Sequence, residues 1–267
     1  MNFVSLSNSA WQIYPVTVNG VIYYPIYAAG NNISAGYNLE VDFIPMRNLW
    51  VTNLYAANVS MIYYSNNTLA LNKVSGGTGF VIVGTNPTAV AITPNGQYVY
   101  VANNGGTTVS VISTSSNSVV STITVGSGPL GVAITPNGLY AYVANFGGTT
   151  VSVISTSSNS VVATIPVGTN PWDVAIPPNG QYVYVINNHG ASVSVISTSS
   201  NSVVATIPVG TDPTAVAITP NGQYVYVANW VGTVSVISTS SNSVVTTITG
   251  TPSNPCSINY GPLGSSC

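Results

Sequence analysis

The sequence predicts an all-β chain arranged as a β-propeller, and three observations carry that prediction. Pro-Asn-Gly recurs at 94–96, 136–138, 178–180 and 220–222, an interval of 42 residues each time. A self-similar period of about 40–45 residues holding several short strands is the signature of a propeller blade. Each unit alternates runs rich in Val, Ile, Thr and Tyr with joins of Gly, Pro, Asn and Ser, the residue types that strands and turns require. Charged residues make up 2% of the chain, so the Glu- and Lys-rich amphipathic helices of a helical solenoid are absent.

Within the first clear unit four strands can be placed. Strand a is "TAVAIT" (88–93), followed by a tight turn at "PNG". Strand b is "QYVYVAN" (97–103), strand c is "TVSVIST" (108–114), and strand d is "SVVSTITV" (118–125), reached through a Ser/Asn turn. Strands apolar on both faces fit sheets stacked against neighbouring sheets. The tyrosine pairs Tyr98/Tyr100, Tyr140/Tyr142, Tyr182/Tyr184 and Tyr224/Tyr226 fall on one face of strand b. They read as packing between blades, with each buried hydroxyl reaching a partner.

The chain then divides in order, as one domain over 1–267. Residues 1–36 are divergent, with "NFVSLSN", "WQIYPVTV" and "VIYYPIYAAG" reading as strands b, c and d. Residues 37–84 form a degenerate blade, in which 42–74 follow the unit from a to d with "PMRNLW" in place of "PNGQYV". Residues 85–250 are four clean repeats, the last shorter by one residue before strand c. In 251–267, "NPCSINYGPLG" (254–264) echoes "NPTAVAITPNG" (86–96) and reads as a lone strand a. One strand from the C-terminal end and three from the N-terminal end complete a composite blade. The expectation is six four-stranded blades closed into a ring, which removes exposed sheet edges.

The repeated "PNGQYVYVAN…TVSVI", and "WVTN" at 50–53 where later copies read "YVAN" or "YVIN", resemble the YVTN-type β-propellers of archaeal and bacterial surface-layer proteins, over roughly 37–250. The asparagines at 53, 103, 145, 187 and 229 hold the motif's last position. Their expected work is structural, bonding backbone groups at turns. Such rings also resemble lactonase and quinoprotein propellers, whose chemistry rests on charged or metal-binding side chains that are missing here from the repeat positions.

Composition narrows the function. An ordinary soluble domain is about 25% charged; this chain has four acids (Glu40, Asp42, Asp173, Asp212), two bases (Arg47, Lys73) and one histidine, His189. Binding nucleic acid needs clustered Lys and Arg to neutralise phosphates, so it is excluded as a partner. No apolar run approaches the roughly 20 residues of a spanning helix, and the start has no basic or apolar signal region. Cys256 and Cys267 lack the second pair or the histidines of a zinc site. They read as a local disulfide, with free thiols the alternative, and a bridge favours an oxidising location.

Catalysis needs titratable groups gathered at one place, and the sequence shows little of this. Glu40 and Asp42 alternate on one strand, as solvated acids, an acid–base pair or a weak calcium site. His189 lies in the turn "NNHGAS" and reads as a surface loop residue. The expectation is therefore a non-enzyme without cofactor or metal.

Variation collects on one face of the ring, in the b–c turns and d–a joins, where Phe146, Trp172, His189 and Trp230 stand. Aromatics there mark a contact surface or cap the central channel. Trp11, Tyr14, Tyr23, Tyr24 and Tyr27 give the N-terminal segment apolar area for an interface. Sequons at Asn32, Asn58 and Asn66 are candidate glycosylation sites. With almost no charge to keep copies apart, the expectation is an extracellular or cell-surface structural protein. It would join head to tail with itself through the N-terminal strands or the aromatic face. The alternatives are an adhesion module for glycans or cell-surface proteins and, remotely, a lactonase- or quinoprotein-like enzyme.

Overall fold

The computed structural model describes residues 16–18, 21–23, 48–65, 68–71 and 80–251. Two short strands, β1 (Val16–Val18) and β2 (Val21–Tyr23), pair antiparallel. They fall within the segments read as strands c and d of the N-terminal part. The remainder of the expected closing blade, including 254–264, lies outside the described residues.

The four clean repeats fold as the sequence predicts, each a four-stranded antiparallel meander in the order a, b, c, d. The first is β7 (Pro87–Ile92), β8 (Tyr98–Asn103), β9 (Thr108–Ser113) and β10 (Ser118–Thr124). The second is β11 (Pro129–Ile134), β12 (Tyr140–Asn145), β13 (Thr150–Ser155) and β14 (Ser160–Pro166). The third is β15 (Pro171–Ala175), β16 (Tyr182–Asn187), β17 (Ser192–Ser197) and β18 (Ser202–Pro208). The fourth is β19 (Pro213–Ile218), β20 (Tyr224–Asn229), β21 (Thr233–Ser238) and β22 (Ser243–Thr249). The a strands β7, β11, β15 and β19 contact one another in succession, so strand a is innermost and strand d outermost. Repeated four-stranded antiparallel sheets in this arrangement are consistent with a β-propeller.

The preceding sheet departs from the expected plan. β3 (Asn48–Asn53) and β4 (Asn58–Ser65) pair as strands b and c. Strand d is broken in two: β5 (Thr68–Leu71) pairs with the far half of β4, and β6 (Phe80–Ile82) with its near half. Asn53 and Asn103 are consequently 50 residues apart, where later motif asparagines are 42 apart.

The core is distributed between sheets. Along β8, Val99 and Val101 pack back onto Trp50, Val59 and Met61, while Tyr100 and Ala102 pack forward onto Val132, Ala141 and Val143. The same alternation continues through the next two interfaces. The tyrosine hydroxyls find their partners across these interfaces. Tyr100 donates to Asn159 Oδ1 at 2.6 Å, Tyr142 to Asn201 Oδ1 at 2.7 Å and Tyr184 to Asn242 Oδ1 at 2.7 Å. Each acceptor asparagine occupies a left-handed position in the c–d turn of the next sheet, which asparagine tolerates well.

The motif asparagines work differently from expectation. Asn103 Nδ2 donates to the hydroxyls of Thr108 (3.1 Å) and Ser110 (3.0 Å), tying strand b to strand c through side chains instead of backbone. Asn145, Asn187 and Asn229 repeat this. A glycine lies flat against each amide: a Cβ on Gly84, Gly126, Gly168 or Gly210 would approach the asparagine Cγ to 2.5 or 2.6 Å.

The outer edges of the four clean sheets lack the charges that usually blunt an edge strand. In every clean sheet the pairing of c with d skips one residue, leaving Val120, Val162, Val204 or Val245 as a bulge. A bulge twists an edge and interrupts its ladder, which makes it a poor template for another strand.

Candidate functional site

Strand a has a bulge of its own, and it shapes the inner surface. In β15 the pairing jumps from Pro171 to Asp173, leaving Trp172 unpaired with strand b. Bulges re-aim side chains and recur beside active sites. The residue following this position is Ala89, Gly131 or Ala215 in the other clean sheets. Here it is an acid.

Asp173 is half-buried on the innermost strand. Its Oδ1 accepts from Val174 N at 2.8 Å, and its Oδ2 from Val216 N at 3.4 Å on the next inner strand. On its other side Gly131 leaves room: a Cβ there would come within 2.9 Å of Asp173 Cα and 3.0 Å of Trp172 O. Burial pushes the carboxyl up to about 6, against the pull of the two backbone N–H groups. The inner strands are pinned elsewhere by hydroxyls, with Thr88 Oγ1 donating to Leu130 O at 3.0 Å.

Next to the acid, the bulge and the turns of the variable face assemble a polar and aromatic cluster. The rings of Phe146 and Trp172 meet edge to face, with centroids 5.1 Å apart at 86°. Asn170 Nδ2 donates to Phe146 O at 2.9 Å, and Asn170 Oδ1 lies 2.8 Å from His189 Nδ1. Asn170 thereby links the b–c turns of two adjacent sheets. His189 is exposed, and Trp230 stands apart from this cluster at 46% exposure.

Of the residues singled out in the sequence, Phe146, Trp172 and His189 are therefore brought together, and Trp230 is not. Asn58 opens β4, and its amide is engaged: it accepts from Asn53 Nδ2 at 2.6 Å and donates to Ala56 O at 3.1 Å. Tyr23 closes β2. Trp11, Tyr14, Tyr24, Tyr27, Asn32, Asn66, Glu40, Asp42, Arg47, Lys73, Cys256 and Cys267 lie outside the described residues. Asp173 was not singled out. The signal for it was present in the repeat: an acid in a column otherwise occupied by Ala and Gly.

Comparison with known proteins adds a direction. Residues 48–165 match the family model described as lactonase, 7-bladed β-propeller, which is less than half of the chain. Kuenenia stuttgartiensis hydrazine synthase shares the fold at 19% identity and a TM-score of 0.59, over 86% of this chain and 92% of that one. A structure from Bacteroides uniformis described as a 6-phosphogluconolactonase shares it at 17% identity and a TM-score of 0.63. That match covers 74% of this chain and 65% of the other. No curated protein matches the sequence.

These findings support a β-propeller without singling out the surface-layer type, and they correct two expectations. The matching model describes seven blades, not six. The expected non-catalytic, self-assembling surface protein is overturned, because the family model that matches residues 48–165 is that of a lactonase propeller. The physical reason for the error lies in composition. Scarce charge argues against gathered titratable groups, but one well-placed acid can suffice for acid–base work.

Proposed function

We propose that this chain is a lactone-opening propeller hydrolase for an uncharged substrate, with Asp173 as its general base. The observation that carries the reading is the position of Asp173: among the described residues, the one acid on the innermost strands, its pKa pushed up to about 6. The family match over 48–165 gives the reaction class its support.

A general base works best when its pKa lies near the operating pH. Asp173 takes a proton from a water molecule, whose oxygen attacks the lactone carbonyl carbon. The ring C–O bond then breaks, and the leaving alkoxide recovers the proton from Asp173. Lactone and water become one hydroxy acid. The neighbouring Phe146–Trp172 pair supplies an apolar wall for the ring. A phosphorylated lactone, as in the name of the Bacteroides uniformis neighbour, calls for Arg or Lys clamps. With two cationic residues in 267, the chain favours a neutral substrate.

Hydrolysis of neutral and phosphorylated gluconolactone, followed by base uptake above the buffer rate, tests this. Turnover of the neutral lactone should rise as pH passes through about 6, and Asp173→Asn should abolish it while leaving the circular dichroism spectrum intact. Equal rates for wild type and Asp173→Asn, or no turnover above buffer, would overturn it.

A further inference from the structure

On the face opposite the Trp172 cluster, four Asn-Gly dipeptides sit in otherwise equivalent exposed turns. We infer that one of them, Asn179–Gly180, is a built-in site of spontaneous deamidation, and that the fold ranks the other three behind it. In this reaction the Gly180 nitrogen attacks Asn179 Cγ. A C–N bond forms, the Cγ–Nδ2 bond breaks, and ammonia leaves with the amide proton. Water then opens the cyclic imide at either carbonyl, giving an aspartyl or an isoaspartyl residue. The step requires the side-chain amide to rotate over the following nitrogen, so every hydrogen bond that holds the amide slows it.

Those restraints differ from turn to turn. In all four the glycine N–H donates to the carbonyl three residues back, at 2.7 or 2.8 Å. Each asparagine Oδ1 also accepts from the backbone N–H two residues on, at 3.0 or 3.1 Å. Beyond this shared frame, Asn95 and Asn221 have two further bonds. Their Oδ1 atoms accept from Thr93 Oγ1 (2.7 Å) and Thr219 Oγ1 (2.6 Å). Their Nδ2 groups donate to Gln97 Oε1 (3.2 Å) and Gln223 Oε1 (3.0 Å). Asn137 keeps the threonine bond, from Thr135 at 2.7 Å, but Leu139 stands where the glutamine would be. Asn179 has neither side-chain bond: Pro177 replaces the threonine, and although Gln181 holds the glutamine position, its only bond to Asn179 is the shared backbone one.

The order of reaction is therefore Asn179, then Asn137, then Asn95 and Asn221 together. The product adds a carboxylate to a chain whose net charge is −2. The isoaspartyl form also lengthens the main chain in a turn that lies against Pro136 of the preceding sheet, where a Cβ on Gly180 would be 3.2 Å from Pro136 Cδ.

The test is peptide mapping by mass spectrometry of the full chain aged in mildly alkaline buffer, scoring the NH-to-O mass change at each turn. Asn179 should react several-fold faster than Asn95 and Asn221, with Asn137 between them. Pro177→Thr should bring Asn179 down to the rate of Asn137, and Leu139→Gln should slow Asn137. In urea the four rates should converge, since the local sequences are nearly identical. Asn95 or Asn221 reacting first, an unchanged rate at Asn179 in Pro177→Thr, or a ranking that survives unfolding would each overturn the inference.

Discussion

At three successive interfaces a buried tyrosine of one sheet donates to an asparagine in the next; at the interface before them Trp50 stands where that tyrosine would be. Trp50 fills the space, at 2% exposure against Val90, Val99 and Val101. It offers no hydroxyl to Asn117, whose Oδ1 is left buried without a partner. The worn sheet thus keeps the apolar half of the interface and loses the polar half. What the repeat copies is an interface: a residue in one sheet is chosen to suit a turn roughly sixty residues later. A change in one copy leaves its mark in the next, as Asn117 shows.

If the clean interfaces are this tightly fitted, filling one should be the most damaging change. Gly168→Ala sets a Cβ 2.6 Å from Cγ and Nδ2 of the fully buried Asn187, and neither group has room to retreat. A loss of about 2–3 kcal/mol is expected, the upper part of the range for overpacking a core. Gly106→Ala, with nothing within 4 Å of the new atom, is the control and should change the urea midpoint little. Equal midpoints for the two variants would show that the glycine–asparagine contact yields freely.

The tyrosine–asparagine bond is tested by removing the acceptor on both sides of the comparison. Asn159→Gly leaves the Tyr100 hydroxyl buried without a partner and should cost about 1–2 kcal/mol. Asn117→Gly removes a group that already lacks one and should be close to neutral. Both positions are left-handed, with φ of 49° and 51°, so glycine fits each equally and its backbone entropy cancels in the difference. A smaller loss at 159 than at 117 would break the comparison.

The elements that were legible in the sequence are those on which the copies agree. The period, the four strands of each clean unit and the Tyr98/Tyr100 face were all readable, because strand and turn chemistry repeat at fixed offsets. Where one copy departs from the others, a reading built on the consensus fails. The worn unit reads as ending at 74, since nothing in its sequence shows that Phe80–Ile82 also pairs with strand c. The outer bulges were hidden because Val119 and Val120 are chemically identical, and only pairing with strand c tells them apart. The candidate site was missed for the same reason. Asp173 is a single exception in a column of small residues, and its significance depends on Val216 and Gly131, which are brought to it from two other sheets.

That exception should also dominate the pH dependence of stability, and this is the smallest of the expected effects. Asp173 is raised to about 6 from an ordinary value of 3.8, so ionising it is harder in the folded chain than in the unfolded one. The stability this contributes is fully present below pH 3.8 and is lost as pH rises through about 6. At about 1.4 kcal/mol per pKa unit the bound is roughly 3 kcal/mol, and solvent reaching a half-buried carboxyl lowers it to about 1 kcal/mol. The chain should therefore be slightly more stable at pH 3 than at pH 7, opposite to acid denaturation of ordinary domains. Above this step the profile should stay level until the alkaline range, where burial holds Tyr100, Tyr142 and Tyr184 up to about 12. These three phenols contribute stability that is intact below pH 10 and lost as pH climbs toward 12, because ionising them places a charge in a buried interface, beside Tyr98, Tyr140 and Tyr182. Thermal melts from pH 3 to pH 11 on wild type and Asp173→Asn separate the two ends of the profile. The substitution should remove the acidic step and leave the alkaline fall untouched. An acidic step that persists in Asp173→Asn would assign it to another carboxyl and take the axial acid out of the account.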